Sequence, residues 1–504
     1  MMPIAHTPSS SAVTRRRFFG NNVTSCKFSR HTSSNYLLNA KAAASTLPAL
    51  EDQWLAKNMQ SFHAANTPDG ISAFRAKNWE ALQTLRMPTK RNEEYRFTDL
   101  SVLTQSTLQA PVSSSGPSLT KDEISKVHSL PEADQTRVLI LDGVFQPHLS
   151  TLNGLPAGLY VGDMSQAPPG TAALLGSQAF SRGGPFAVIN GAAAEDVLVI
   201  SVASRVVLDT PLHILYLSSG SGTESVRSCS APRLLLHAAE GSAIEVVEEF
   251  AGVPGGTGRY FSCAVSEMIL EKDSQVKHSY IEEDSSASVH MKGTLVHQAE
   301  QSMYKLTEAR LGSGLSRHDV GVEQGGADTH TTLRHFLVAG PSQLHDLHTK
   351  LELSHPRGQA VQLHKCIVAH STGKGVFDGN VKVNKLAQKT DAQQLSRNLL
   401  LVPLATVNVK PNLQIIADDV KCTHGCSVSD LREDELFYFR ARGIDIEAAR
   451  RALVSSFGAE VTQQLKYKAL MARVQASVAA TLLAGGDSST SSNVNADEEP
   501  YGVS

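Results

Sequence analysis

Apolar and polar positions follow three different patterns along this chain. Between residues 51 and 110, apolar residues recur at helical spacing, which predicts helices. From about residue 136 to residue 430, short apolar runs alternate with Gly, Pro, Ser, Asn or Asp, and this predicts a succession of β-strands. From residue 445 to 483, three- and four-residue steps predict helices again, with Asp445 placed to cap the first turn.

The strand-rich stretch narrows the choice of fold. About 290 residues of predicted strands, with no long helical segment among them, make a doubly wound α/β fold a poor fit. A sandwich, a large barrel, a propeller or a β-solenoid remains. Strand and turn recur loosely about every 20 residues, which favours a solenoid, whose turns need only stack on their neighbours. We therefore predict a mainly β chain with a β-solenoid core that flanking helices cap.

The first 50 residues differ in composition from the rest. They contain no Asp or Glu, since the first acidic residue is Glu51, and they carry eight serines and six Lys or Arg residues. A basic, serine-rich and acid-free start is typical of an organelle transit peptide rather than a merely disordered tail. The abundance of Ser and Thr favours the plastid stroma over the mitochondrion as the predicted location.

These patterns divide the chain into five predicted segments. They are a transit peptide (1–50), an N-terminal helical domain with a linker (51–120), a β core (121–433), a C-terminal helical domain (434–484) and a disordered tail (485–504). The linker prediction rests on the Ser- and Pro-rich run at its end, and the tail prediction rests on Ser, Asn and acidic residues.

Composition and missing motifs exclude several classes of function. The formal net charge of −3 gives no basic surface for nucleic acid. No stretch approaches the roughly 18 consecutive apolar residues of a membrane span. The chain has no P-loop, no G-x-S-x-G turn, no H-E-x-x-H and no C-x-x-C. Nothing in the sequence therefore supports a hydrolase or a nucleoside triphosphatase.

A group of histidines offers one candidate metal site. Its members are His330, His335, His345, His348, His355, His364 and His370. They could build a stand-alone metal enzyme, but the segment is predicted to be stranded, where an imidazole is more often solvated or hydrogen-bonded than a metal ligand. Three cysteines elsewhere, Cys229, Cys263 and Cys366, are predicted to be small buried residues.

The run from Asp418 to Cys426 offers a second constellation. Residues two apart in a strand face the same side, so Cys422 and His424 would present a thiol and an imidazole together. Such ligands suit iron–sulfur species, zinc or copper, and Lys421 and His424 could lower the thiol pKa. Two ligands are fewer than the three or four of a tight site, which predicts an incomplete site that another chain finishes.

Two points about this run stay open at the level of sequence. Cys426 shares the face of Cys422 only if the strand continues past Gly425, where a turn is equally compatible with the residues. Cys422 and His424 could also be a buried thiol and a hydrogen-bonded imidazole in a purely structural β-helix adaptor.

Several runs in the second half of the chain occur in a characteristic order. They are His355-Pro356, 375–379 (GVFDG), 387–394 (AQKTDAQQ), 398–401 (NLLL), 410–415 (KPNLQI), 417–425 (ADDVKCTHG) and 436–444 (LFYFRARGI). In this order they resemble the SufB/SufD family of iron–sulfur cluster assembly proteins. The D-D-V-K-C-x-H-G form and the run 88–98 (PTKRNEEYRFT) look like the SufD branch of plastids rather than SufB.

The resemblance implies a fold and a set of partners. The fold is a right-handed parallel β-helix between helical domains, and the role is a non-catalytic scaffold subunit, not an enzyme. A SufB-like subunit would pair through the β-helix, and the SufC ATPase, which would hydrolyse the ATP, would bind the C-terminal helices. The candidate SufC contacts are Phe437, Tyr438, Arg440, Arg442 and Gly443.

The same resemblance implies a site. A SufD histidine at the SufB interface is implicated in cluster assembly and maps onto His424, with Cys422 beside it. Family members usually have a small residue where this chain has Cys426, so Cys426 is a less certain third candidate. The implied cofactor is a transient iron–sulfur cluster at a subunit interface, with none bound tightly to the isolated chain.

Overall fold

The computed structural model describes residues 50–63, 70–111, 119–220, 225–256, 258–431 and 433–486. The predicted transit peptide and C-terminal tail lie almost entirely outside these ranges, as does most of the predicted linker. The α-helices within them are α1 (Gln53–Asn58), α2 (Gln60–His63), α3 (Ser72–Leu82), α4 (Ser101–Thr104), α5 (Lys121–Val127), α6 (Thr171–Leu174), α7 (Ala179–Arg182), α8 (Gly184–Ala193), α9 (Glu433–Arg440), α10 (Ile446–Thr462) and α11 (Lys468–Gly486). Single 3-10 turns occur at Glu93–Tyr95, Pro131–Ala133, Met164–Gln166 and Gln463–Leu465.

The β-strands fill the middle of the described chain. They are β1 (Thr107–Gln109), β2 (Thr136–Leu141), β3 (Val144–Phe145), β4 (Thr151–Leu152), β5 (Leu159–Gly162), β6 (Leu198–Val202), β7 (Leu212–Ser218), β8 (Val226–Ser230), β9 (Arg233–Ala238), β10 (Ala243–Gly252), β11 (Tyr260–Leu270), β12 (Gln275–Glu283), β13 (Val289–Gln298), β14 (Met303–Arg310), β15 (Leu315–Gln324), β16 (His330–Ala339), β17 (Leu344–Leu353), β18 (Gln359–Val368), β19 (Lys374–Val383), β20 (Asp391–Leu400), β21 (Thr406–Ile415) and β22 (Lys421–Ser429).

These strands coil into a parallel β-solenoid. From β9 onward, odd-numbered strands stack in one sheet (sheet A) and even-numbered strands in the other (sheet B), so β9 to β22 make about seven turns of two strands each. Leu315 of β15 pairs with Leu344 of β17, which pairs with Lys374 of β19. The mainly β solenoid between flanking helices is therefore confirmed, while its right-handed coil stays a prediction.

The repeat of the solenoid is longer than the sequence pattern indicated. Successive partners in sheet A, such as Leu315 and Leu344, are about 30 residues apart, because one turn holds two strands and their corners. The spacing of about 20 residues in the sequence pattern is longer than one strand with its turn and shorter than a full turn of the solenoid. The pattern therefore predicted the class of fold but not the length of its structural repeat.

Three short helices, α6 to α8, lie within the stretch where the sequence indicated strands and no long helical segment. Helix α8 is apolar on nearly all sides and packs on strands β11 and β13 of sheet A. It has no polar face, so its periodicity could not separate it from a buried strand. Pro185 at its first turn was the available start signal.

A column of left-handed residues turns the chain at one corner of the solenoid. Its members, with φ between +57° and +69°, are Arg205, Gly241, Asp273, Gln301, Asp328, Arg357 and Lys389. The backbone N–H of each one donates to a carbonyl of the next turn, as Gln301 does to Ala327 at 2.8 Å. These bonds hold successive turns in register at the corner.

Helices cover the outer faces of both sheets. The N-terminal helices and α8 bury an apolar cluster on sheet A around Phe186 and Phe261. Helices α10 and α11 bury another cluster on sheet B, around Phe336 and Val454. Within the ranges that the structure describes, no helix has the length and apolarity needed to cross a bilayer.

The segment after α3 ties the N-terminal helices to the later turns of the solenoid. Thr98 donates a hydrogen bond to the buried Asp346 of β17, and Arg317 of β15 donates to the same carboxylate at 2.9 Å. Glu93 forms a 2.9 Å ion pair with Lys410 of β21. The run 88–98 therefore lies beside the C-terminal turns.

The two ends of the solenoid differ. At the first end, β2 pairs in antiparallel fashion with β3 and β4, and β5 pairs in the same way with β6. At the last end, β21 and β22 have a strand neighbour on one side only within the described chain. Their outer edges therefore present backbone N–H and C=O groups, flanked by the exposed Leu404, Ile415 and Ile416. An edge of this kind is normally covered or paired.

Candidate functional site

The last strand of sheet B, β22, carries the three candidate cluster residues. Its register places Cys422 opposite Ala392, His424 opposite Gln394 and Cys426 opposite Ser396. Those three residues of β20 are buried in the solenoid interior. Side chains of paired residues in a parallel sheet point to the same face, so Cys422, His424 and Cys426 all lie on the inward face.

The strand continues through Gly425 to Ser429, so Gly425 does not make a turn. Within the ranges that the structure describes, no further turn stacks on β22, and the inward face of this strand is open. Cys422 is half-buried and contacts the interior core, whereas His424 and Cys426 are exposed. Adjacent members of the row are about 7 Å apart along the backbone, from the rise of a strand.

The two thiols are more weakly acidic than the sequence suggested. Burial raises the pKa of Cys422, with Asp391 adding to the effect and a backbone hydrogen bond at Ala392 opposing it. Burial also raises the pKa of Cys426. The expectation that Lys421 and His424 would lower the thiol pKa is wrong, because Lys421 alternates to the opposite face of the strand. Both thiols therefore stay protonated near neutral pH.

The described chain does not hold a complete metal site. Among its residues, no group of three or more His, Cys, Asp or Glu side chains is placed to bind one ion. Cys422 and His424 remain a soft thiol and an imidazole on one exposed face, a donor pair suited to iron–sulfur species. The candidate site residues thus share one face of one strand, and their role in cluster assembly stays a prediction.

The histidines between 330 and 370 do not converge on one point. His335, His345 and His364 are buried. His348 lies instead on the outside of sheet A, 2.9 Å from Asp346 and close to the N-terminal segment. His370 is in a turn, where it hydrogen-bonds Thr372. The arrangement offers no support for a metal enzyme built on this group.

The other three cysteines of the described chain are small core residues, as predicted. Cys229, Cys263 and Cys366 are buried and unpaired. Burial raises the pKa of Cys229 and of Cys366 to about 12. These thiols are unsuited to binding metal from solution, unlike those of β22.

The candidate partner contacts lie on and just after α9. No residue of α9 is buried, and Phe437 and Tyr438 are 71% and 55% exposed. The guanidinium of Arg442 stacks 3.5 Å from the Tyr438 ring, and Gly443 turns the chain with φ of +77°. Arg440 ends the helix. Exposed aromatic side chains held on a short helix are typical of a docking surface.

Sequence reasoning missed the polar layer behind β22. Gln394, beneath His424, donates to Gln362 of β18 at 2.9 Å. Ser396, beneath Cys426, lies 3.0 Å from His364. A signal was present, because β18 and β20 carry polar residues at positions of both parities, where a solvated sheet would alternate cleanly.

Comparison with known families agrees with this architecture. The profile of the SUF system FeS cluster assembly, SufBD core domain, matches residues 219–457. The profile of the SufBD protein N-terminal region matches residues 53–214. Together they span the N-terminal helices, the solenoid and most of α10.

Similar proteins cover nearly the same length. Protein ABCI7, chloroplastic, of Arabidopsis thaliana is 42% identical over 444 residues, which are 86% of this chain and 91% of that protein. An iron–sulfur cluster assembly SufBD family protein of Synechocystis is 33% identical over 438 residues, 85% of this chain and 93% of its own. Iron-sulfur cluster assembly protein SufD of Escherichia coli is 27% identical over 432 residues, 85% and 97% of the two chains. The chain therefore belongs to the SufBD family of iron–sulfur cluster assembly proteins.

Proposed function

We propose that this chain is the SufD-like scaffold subunit of a plastid complex with a SufB-like subunit and a SufC-like ATPase. Cys422 and His424, with Cys426 as a third donor, supply part of the site at which iron and sulfide become a nascent cluster. The SufB-like subunit supplies the rest across the interface. The cluster is the cargo of the complex and passes on, and the isolated chain holds none tightly.

The observation that carries this proposal is a row of partly or fully exposed donors on a terminal strand, β22, whose outer edge is unpaired within the described chain. The donors face inward, and no further turn lies above them in the described chain. A second parallel solenoid seated on β21 and β22 would satisfy their edges and enclose the donors at once. The lack of a complete metal group within the described residues fits a site shared between two chains.

The ATPase surface is proposed for α9 and the turn after it. Phe437 and Tyr438 supply exposed aromatic area, and Arg440 and Arg442 supply charge for a polar rim. This surface follows β22 directly in the chain. A partner that moves α9 could therefore pull on the end of the solenoid formed by β21 and β22, which we call the open end. This movement would expose the donor row of Cys422, His424 and Cys426. Plastid location is proposed from the composition of residues 1–50 and from the chloroplastic relative.

The central test replaces His424 in the assembled complex. We expect His424→Ala to leave complex formation intact, because the side chain is exposed and the backbone pairing of β22 does not depend on it, and to abolish cluster formation. His370→Ala is the matched control, since His370 is also a surface histidine but lies in a distant turn. Size-exclusion chromatography measures assembly, and absorbance of the reconstituted cluster measures yield.

Other outcomes favour other functions. Full cluster yield in verified complexes of His424→Ala would contradict the proposal. If Cys422→Ala and His424→Ala together also left the yield unchanged, the chain would be a structural adaptor. Stoichiometric metal on the isolated chain, lost in His335→Ala or His364→Ala, would support the metal enzyme instead.

A further inference from the structure

The solenoid interior holds a column of polar side chains beneath the open end. Because the turns stack in register, Cys426 of β22 pairs with Ser396 of β20, and Ser396 pairs with His364 of β18. The column continues through His335 of β16 to Glu308 of β14. Ser396, His364, His335 and Glu308 have essentially no exposed surface. Polar groups buried to this depth are stable only when they bond with one another or with enclosed water.

Hydrogen bonds join the column in two halves. In the outer half, the Ser396 hydroxyl lies 3.0 Å from His364 Nδ1, and Asn398 Nδ2 donates to Ser396 Oγ at 3.1 Å. In the inner half, His335 Nδ1 lies 2.5 Å from Glu308 Oε2. Between the two halves, His364 Nε2 and His335 Nε2 are buried and have no hydrogen-bond partner among the protein atoms of the described chain.

The direction of the inner bond follows from the charge of Glu308. Burial raises the pKa of this carboxyl group, but His318 and Arg310 outweigh burial and hold it well below its ordinary value. An ionised carboxylate only accepts hydrogen bonds, so His335 donates from Nδ1. In a neutral imidazole the other nitrogen, Nε2 of His335, is then an acceptor.

The outer bond has Ser396 at its centre. The Ser396 oxygen accepts from Asn398 and lies 3.0 Å from His364 Nδ1, so its own proton is available to that nitrogen. With Ser396 as the donor, the neutral His364 carries its proton on Nε2. The two unpartnered nitrogens are then a donor and an acceptor on paired residues of neighbouring strands, the complement that a bridging water requires.

We propose that Ser396, His364, His335 and Glu308 form one directed hydrogen-bond chain that takes up a proton from the open end of the solenoid. The inference rests on the proposed function only for the source of that proton. The source is a hydrosulfide brought for assembly, which must lose its proton as sulfide binds iron. A partner that covers the open end excludes bulk water, and the interior then becomes the route for the proton.

The transfer balances without any oxidant or reductant. The S–H bond of the hydrosulfide breaks, and its proton moves to Ser396 Oγ as the Ser396 proton moves to His364 Nδ1. His364 then gives its Nε2 proton to His335 Nε2 through a bridging water. His335 ends as an imidazolium beside the Glu308 carboxylate, and the sulfide keeps its electron pair for iron.

The first test reads the tautomers in the isolated full chain and is independent of cluster assembly. Imidazole ¹⁵N shifts of histidine-labelled protein should show His364 protonated on Nε2 and His335 protonated on Nδ1. Spectra of His364→Gln and His335→Gln assign the signals. The opposite tautomer at either residue would overturn the proposal.

The second test measures transfer in the assembled complex. Ser396→Ala removes the first link and should slow single-turnover cluster formation about 100-fold, the lower end of the effect of positioned proton transfer. It should also remove the solvent deuterium isotope effect. Ser262→Ala is the control, because Ser262 is equally buried and its hydroxyl has no partner. Its rate should match the parent chain.

The outcomes separate the two proposals. If His424→Ala abolishes clusters while Ser396→Ala keeps both the parental rate and the isotope effect, the hydrogen-bond chain is refuted and the scaffold function stands. If His424→Ala has no effect, the scaffold site fails, whereas the tautomer measurement still decides whether the chain exists. Thermal melts of each variant establish that it folds.

Discussion

Single residues in strained conformations hold the turns of the solenoid together. Six of the seven corner residues are not glycine although their φ is positive, and each still donates its N–H to the next turn. A non-glycine residue in this region costs of the order of 1 kcal/mol, and a β-branched one costs more. The register of the stack offsets this local cost.

Gln301 allows a test of this corner, because its side chain is exposed and only its backbone N–H bonds to the next turn. We expect Gln301→Val to lower the free energy of unfolding by about 1–2 kcal/mol, since a branched side chain resists φ of +59°. Gln301→Gly should change it by less than about 0.5 kcal/mol, because relief of strain offsets the added freedom of the unfolded chain. Urea titration measures both, and equal losses would contradict the argument.

The candidate site was only partly predictable from its residues. Alternation within a strand correctly placed Cys422 and His424 on one face, and Cys426 joined them once the strand was seen to pass Gly425. The sequence could not show that this strand is the last one, because exposure depends on the absence of a further turn. The raised pKa of Cys422 has the same origin, since burial depends on tertiary packing.

At the scale of elements, long strands and amphipathic helices were predictable from the sequence. A helix without a polar face was not. The C-terminal helix α10 followed from its apolar stripe and its cap, and Asp445 does accept hydrogen bonds from Glu447 and Ala448. Helix α8 was missed because burial on nearly all sides leaves no polar face. Pairing of strands 30 residues apart was also hidden, since each turn differs in sequence from the next.

Helix α9 is the element whose role is most open to experiment. We expect Phe437→Ser to weaken capture of a SufC-like ATPase at least tenfold, because a buried aromatic anchor is commonly worth 2 kcal/mol or about 30-fold in affinity. Leu483→Ser is the matched control, since Leu483 is also an exposed apolar residue on a C-terminal helix. Binding to immobilised ATPase measures the effect, and equal affinities of the two variants would exclude α9 from the interface.

At the scale of the whole molecule, the fold joins a well-covered body to an open end. Helices cover both sheets, but the last strands show free edges and an inward row of donors. The interior beneath that end is polar, with Gln394, Ser396 and Asn398 all buried. A polar interior gives less stabilisation on folding than an apolar one, so stability alone does not explain these residues. A polar interior at this end is compatible with a surface that a second chain covers.

The polar interior should make the molecule sensitive to acid. His345 is buried, and burial, with Arg310 nearby, lowers its pKa from 6.5 to about 3. Between pH 6.5 and pH 3, His345 is therefore protonated in the unfolded chain but neutral in the folded chain. The free energy of unfolding falls as the pH drops below 6.5 and continues to fall toward pH 3. This one group accounts for about 2 kcal/mol at pH 5.

The variant His345→Leu fills the site with an apolar side chain of similar size that cannot titrate. Its loss of unfolding free energy between pH 7.5 and pH 5 should therefore be about 2 kcal/mol smaller than the loss of the parent chain. Urea titrations at both pH values measure this difference, and an equal loss in the parent and in His345→Leu would contradict the buried imidazole as its source.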